Sequence, residues 1–148
     1  MVREMTPISG SCHCGNIRLS LLWPGPPAEI PIRKCSCSFC RKRNGSWTSS
    51  PAAALTVVID DSSLITKYRF GTGSADFYIC ARCGVVPFVL SQMDGASYAV
   101  VNVHTLDDIE TGSLPAVATN FDGENTATRL ERRRRNWIPD VKINSEPQ

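Results

Sequence analysis

The sequence predicts a mainly β, single-domain protein, and three observations carry that expectation. Val, Ile and Thr number 31 against 20 for Ala plus Leu, a balance that favours strands over helices. Gly and Pro contribute 10 each, enough to punctuate many short turns. The chain of 148 residues, 42% hydrophobic and 20% charged, has the length of one domain and the composition of a folded one. No apolar run is long enough for a membrane span, and Met1-Val2-Arg3-Glu4-Met5 lacks the apolar stretch of a signal peptide. The expectation is a soluble cytoplasmic protein. A net charge of +2 is too small to argue for nucleic acid.

In chain order, strands are expected at Ile17–Trp23, Leu55–Ile59, Leu64–Phe70, Ala75–Cys80, Val85–Leu90 and Ser97–Val103. Each is β-rich, several are bounded by Gly, Pro, Asp or Ser, and some alternate apolar with polar residues. The segment from Trp23 to Pro31, with four prolines, is a stiff loop. A short helix is predicted over Cys37–Asn44, stopped by Gly45. A helical turn over Leu106–Glu110 would open at Thr105, and Asn125–Trp137 would be helical with Arg132–Arg135 late, as the helix dipole prefers. That arginine run is read as a helix end or surface rather than a nucleic-acid contact. After Asp140 the chain is expected to fray.

The seven cysteines fall in three tight clusters: Cys12 and Cys14; Cys35, Cys37 and Cys40; Cys80 and Cys83. An odd count argues against a disulfide framework, and pairing neighbours would close small, strained rings. Closely spaced thiolates suit a soft tetrahedral metal instead. Cys12-His13-Cys14-Gly15 and Cys80-Ala81-Arg82-Cys83-Gly84 both end in Cys-Gly, which fits a tight knuckle. Together they make a closed, structural four-sulfur zinc site. Cys35, Cys37 and Cys40 remain for a second zinc with one open position, the arrangement of a catalytic site. Two alternatives stay open: His13 as a further ligand, and His104 as a ligand of the second site or a general base. Arg41, Lys42 and Arg43 would face an acidic ligand above that zinc, and Phe39 would wall it from water. Trp47, Tyr78 and Phe88 are expected in the core. With both ions bound, the formal +2 would fall to about −1.

Taken together, Gly10-Ser11-Cys12-His13-Cys14-Gly15, Cys35-Ser36-Cys37-Ser38-Phe39-Cys40-Arg41-Lys42 with Gly45, and Cys80-Ala81-Arg82-Cys83-Gly84 resemble the glutathione-dependent formaldehyde-activating family, which includes the centromere protein V type of zinc domain. The similarity extends through Val101-Asn102-Val103 to the run Arg135–Pro139, giving a domain over residues 9–138 and a tail over 139–148. It implies several small coiled antiparallel sheets around zinc knuckles, with few short helices. It implies two zinc ions, structural on Cys12, Cys14, Cys80 and Cys83 and catalytic on Cys35, Cys37 and Cys40. It also implies a carbon–sulfur lyase that adds a thiol such as glutathione to formaldehyde or another small aldehyde. A non-catalytic zinc module for protein or nucleic acid, and a zinc-linked redox sensor, are the competing classes.

Overall fold

The computed structural model describes residues 5–107, 109–121 and 123–145. The chain is mainly β, with its described strands in two sheets. The first is a four-stranded sheet of order β1 (Met5–Ser11), β2 (Ile17–Pro24), β5 (Ala54–Ile59) and β11 (Asp140–Ser145). The second has seven strands in the order β10 (Ala116–Thr119), β3 (Ile32–Cys35), β4 (Ser46–Thr48), β9 (Ala96–Asn102), β8 (Phe88–Met93), β7 (Asp76–Cys80) and β6 (Ile65–Tyr68). Neighbours run antiparallel except at the two pairs closed by late strands, β10 on β3 and β11 on β5, which are parallel. Two short α-helices, α1 (Ser38–Arg43) and α2 (Thr126–Asn136), and short 3-10 turns join the strands of the described residues. No helix of the described residues is long and apolar enough to cross a membrane.

The core follows from strand alternation. On β2, Ile17, Leu19, Leu21 and Trp23 are buried while Arg18, Ser20 and Leu22 are exposed, so every second side chain faces the other sheet. Leu55, Val57 and Ile59 of β5 join them. Phe88, Leu90, Ala99 and Val101 meet this layer from the seven-stranded sheet. Each fully buried Leu, Ile or Phe contributes roughly 1.5–3 kcal/mol through the apolar area it removes from water. β8 is buried on both faces, because its alternate residue Val89 packs with Val100 of β9, Trp47 and Trp137 in a second cluster. The seven-stranded sheet therefore separates two cores, one against the other sheet and one beneath the helices.

Helix ends carry the expected chemistry. Asn125 caps α2 by accepting the Thr128 N–H at 2.8 Å, and such caps are worth about 1 kcal/mol. Arg133, Arg134 and Arg135 occupy its last turn, where the dipole favours cations. On α1 the left-handed residue is Asn44, with φ 54°, one position before the predicted stop at Gly45. Gly45 answers a different need, since a Cβ there would lie 2.8 Å from the Trp47 ring.

Three other expectations are corrected. The predicted turn over Leu106–Glu110 is displaced towards the N-terminus: a 3-10 turn spans Val103–Thr105, capped by the Asn102 side chain, and Leu106 instead bridges to Gly10. Asp108 within that prediction lies outside the described residues. The tail does not fray after Asp140, because 140–145 pairs in register with Ala54–Ile59 as the edge strand β11, the backbone groups on one side bonded to β5. Val85–Pro87 is not strand: the Val85 carbonyl accepts the Cys80 N–H at 3.0 Å to close a turn, and β8 begins only at Phe88.

Candidate metal centres and cavity

Each cysteine cluster occupies a turn or helix start that the sheets bring to a fixed place. Cys12–Asn16 forms the hairpin turn between β1 and β2, closed by the Cys12 N–H on the Ile17 carbonyl at 2.9 Å. Ala81–Pro87 joins β7 to β8, with the Gly84 N–H on the Cys80 carbonyl at 2.7 Å. Gly15 and Gly84 have φ of 84° and 80°, where an L side chain is strained. Packing of the two sheets sets the turns against each other.

The sulfurs of Cys12, Cys14, Cys80 and Cys83 all lie within 4.8 Å of one another. Cys14 stands 3.8 Å from Cys12 and 3.5 Å from Cys80, close to the edge of about 3.8 Å for a tetrahedron of sulfurs around zinc at about 2.3 Å. Backbone amides point at this group, including the Ile17 N–H to Cys12 Sγ at 3.3 Å. Burial pushes the Cys12 thiol up to about 12 and raises that of Cys80 as well. At Cys83 burial acts in the same sense, but amides of Val85 and Cys14 outweigh it and bring the thiol down to about 6. Such a group of crowded, amide-solvated sulfurs is chemically fitted to a soft cation, which relieves the repulsion between thiolates.

Cys35, Cys37 and Cys40 form the second group, again with all sulfurs within 4.8 Å. Cys35 ends β3, Cys37 is the N-cap of α1, and Cys40 lies in its first turn. The Cys40 N–H donates to Cys37 Sγ and the Trp47 indole N–H donates to Cys40 Sγ, both at 3.4 Å. The Cys35 sulfur, with burial second, holds the Cys40 thiol far above its ordinary range. These donors also suit a bound soft ion, here with three sulfurs rather than four. Among the described residues no third such group is assembled, and neither His13 nor His104 belongs to either one; both histidines are exposed.

The three-sulfur group lies in the wall of a cavity of about 380 Å³. Trp47, Phe77 and Trp137 give it apolar walls, while Arg33, Arg129, Arg132 and Arg133 bring cations to it. Arg41, Lys42 and Arg43 do not line it. They are exposed on α1, because the helical turn that buries Cys40 carries the next three side chains outward. Phe39 stands behind the wall, with ring centroids 4.7 Å from Phe77 and 5.2 Å from Phe70. Trp47, Tyr78 and Phe88 are buried, and Trp47 is at once core residue and cavity wall.

The sequence reads Arg132 and Arg133 as part of a helix-end or surface run and passes over Arg33 and Arg129; the structure instead places all four in the cavity wall, and a signal for the helical three existed. Residues 129, 132 and 133 stand at i, i+3 and i+4 on α2, one face of a helix. The four-arginine run is accordingly divided: Arg133 is buried and Arg132 half-buried, while Arg134 and Arg135 are exposed.

Glu124 organises this wall. Arg132 donates to it through Nη2 at 3.0 Å and through Nε at 3.2 Å, and Arg129 stands 3.8 Å away. The hydrogen bond from Arg132 holds the Glu124 carboxyl below its ordinary value. A depressed folded-state pKa stabilises the fold fully above the unfolded value and ceases to do so as pH falls through the folded one. Glu124→Gln is expected to cost about 1 kcal/mol near neutrality. The gap from wild type should close as pH falls below the ordinary carboxylate value, as measured by denaturant midpoints at about pH 7 and about pH 3.

Fold and site together define a class: a two-sheet β protein with a four-sulfur knuckle and a separate three-sulfur group on a cavity. The family model described as glutathione-dependent formaldehyde-activating enzyme matches residues 7–122, and the chain belongs to that family. A relative from Halomonas elongata, carrying the same description provisionally, is 30% identical over 83 residues. That match spans 51% of each chain, so about half the length of the relative. A crystal structure of a Rhodobacter sphaeroides protein superposes with a TM-score of 0.58 at 28% identity, covering 74% of this chain and 99% of the other.

Proposed function

We propose that this protein adds a small thiol, glutathione or a close relative, to formaldehyde or another small aldehyde, forming a carbon–sulfur bond in the cavity beside Cys35, Cys37 and Cys40. One observation carries the reading: the seven sulfurs divide into a knuckle of four between two hairpins and a group of three in a cavity wall. Four sulfurs complete a tetrahedron, whereas three leave a position for a reactant. Family membership supports glutathione and formaldehyde as the reactants, and the donor sets support zinc at both places.

Zinc on Cys35, Cys37 and Cys40 would supply thiol activation, lowering the pKa of a thiol beside it so that sulfur is nucleophilic near neutral pH. The chain's own contribution is placement. β3 and the first turn of α1 hold the three sulfurs in one fixed geometry, and the Trp47 N–H fixes Cys40. Trp47, Phe77 and Trp137 exclude water from one side of the cavity, which favours addition over solvation of the sulfur. Bringing thiol and aldehyde together in so small a space supplies the proximity an addition needs. The role first expected of Arg41, Lys42 and Arg43 falls to cations that line the cavity.

The test is hemithioacetal formation by wild type and Cys37→Ser, with elemental analysis showing equal metal in the four-sulfur knuckle. Serine is a poor soft-metal ligand, and the variant is expected to lose about 100-fold or more in rate while keeping its fold. Equal rates would remove the three-sulfur group from the reaction.

A further inference from the structure

The cavity holds more positive charge than its acids balance. Arg33, Arg129, Arg132 and Arg133 line it, and Glu124 is the one carboxylate among the described lining residues. Glu124 is already engaged by Arg132 at 3.0 Å, with Arg129 at 3.8 Å. Arg33 and Arg133 have neutral partners in the described structure. Arg33 Nη2 donates to Ser49 Oγ at 2.6 Å. Arg133 Nη1 donates to the Ser74 carbonyl, Ser74 Oγ and Ser91 Oγ at 3.2, 2.8 and 3.2 Å. Hydroxyls and carbonyls satisfy N–H groups but carry no charge, and Glu124, which also acts on Arg133, is one carboxylate shared among several arginines; a buried charge short of a counter-ion is costly.

Arg133 shows that cost most plainly. It is 7% exposed, lies over the Trp137 ring at 4.8 Å, and its buried Nε has no hydrogen-bond partner. Burial, with Arg129 and Arg132 nearby, outweighs the opposing pull of Glu124 and brings its pKa down to about 10. A divalent ion on three thiolates would carry only about −1, so two of the cavity's positive charges would still lack a partner. The two arginines come from different walls, Arg33 from β3 and Arg133 from α2. A single small anion would neutralise one of them and leave the other.

We infer that Arg33 and Arg133 are the specificity-determining residues of this cavity, each reading one carboxylate of the glutathione-like thiol proposed above. The planar guanidinium fork matches a carboxylate, and about 380 Å³ lies in the range of small-ligand sites. The inference rests on the proposed function in taking the ligand to be glutathione or a close relative. It makes Arg33 and Arg133 specificity determinants, outside the three sulfurs that would act on the thiol itself.

Binding without turnover separates the two claims. S-methylglutathione has both carboxylates and no free thiol, and Trp47 and Trp137 in the cavity wall report its binding by fluorescence. Esterifying both carboxylates is expected to weaken binding to the full-length protein by about 100-fold. Arg33→Gln and Arg133→Gln should each weaken the diacid about 10-fold and leave the diester unchanged. Should Arg133→Gln fail to fold, Arg33→Gln carries the same comparison. A diester that binds as tightly as the diacid overturns the inference, as does an equal loss for both ligands in a folded variant, which marks a structural role. Tight, ester-sensitive binding without thiol–aldehyde activity would sustain the inference and sink the proposed reaction. Equal kcat/KM for glutathione and 2-mercaptoethanol would do the reverse.

Discussion

Replacing Cys80 by serine is expected to remove the four-sulfur knuckle and with it most of the stability of this chain. Cys80 is fully buried at the end of β7, and its sulfur lies 3.5 Å from that of Cys14 in the turn of the β1–β2 hairpin. It therefore joins two hairpins that are 66 residues apart in the chain and belong to different sheets. The apparent binding energy of a structural zinc is on the order of 10 kcal/mol, comparable with the whole net stability of a domain, about 5–15 kcal/mol. A serine hydroxyl is protonated and hard, so it replaces the volume and not the ligand. The measurements are metal per chain by elemental analysis and thermal unfolding with and without a strong chelator. Wild type should lose its transition on chelation, whereas the variant should start low and respond little at this site.

Phe88→Ala is expected to cost about 3–5 kcal/mol. Phe88 is fully buried and stacks on Tyr78 at 4.4 Å between ring centroids, where β8 faces the four-stranded sheet. Truncation forfeits the transfer energy of the ring and leaves a void that rigid strands on both sides cannot close. Its neighbour Val89 faces the opposite core with Trp47 and Trp137. A relaxing β8 would thus disturb the cavity as well, so the proposed thiol binding should fall together with the denaturant midpoint. Urea unfolding at constant slope is the check, since an unchanged slope marks loss of stability rather than a change in the unfolded state.

Much of the architecture was legible because it is written in local patterns. The β-rich runs at Ile17–Trp23 and Leu55–Ile59 made those strands readable, and the late arginines did so for α2. The cysteine spacings divided four from three for a local reason: two ligands from one short turn need residues one to three apart. Strands that no alternation announces were missed. Ser46–Thr48 is three residues, all buried, and 140–145 is a strand only because β5 offers it an edge.

The cavity lay beyond local reasoning for the same cause. Arg41, Lys42 and Arg43 adjoin the three sulfurs in sequence, yet one helical turn carries them into solvent, while Arg33 and Arg133, 100 residues apart, line the same space. From the sequence alone came the β class, the helices expected over Cys37–Asn44 and Asn125–Trp137, and the grouping of the cysteines into four and three. Tertiary structure decided which cations stand beside the sulfurs and which late strands close the sheets. Propensity and metal-ligand spacing act over a few residues and survive in linear order, whereas charge compensation in a cavity depends on surfaces that meet only once the sheets have packed.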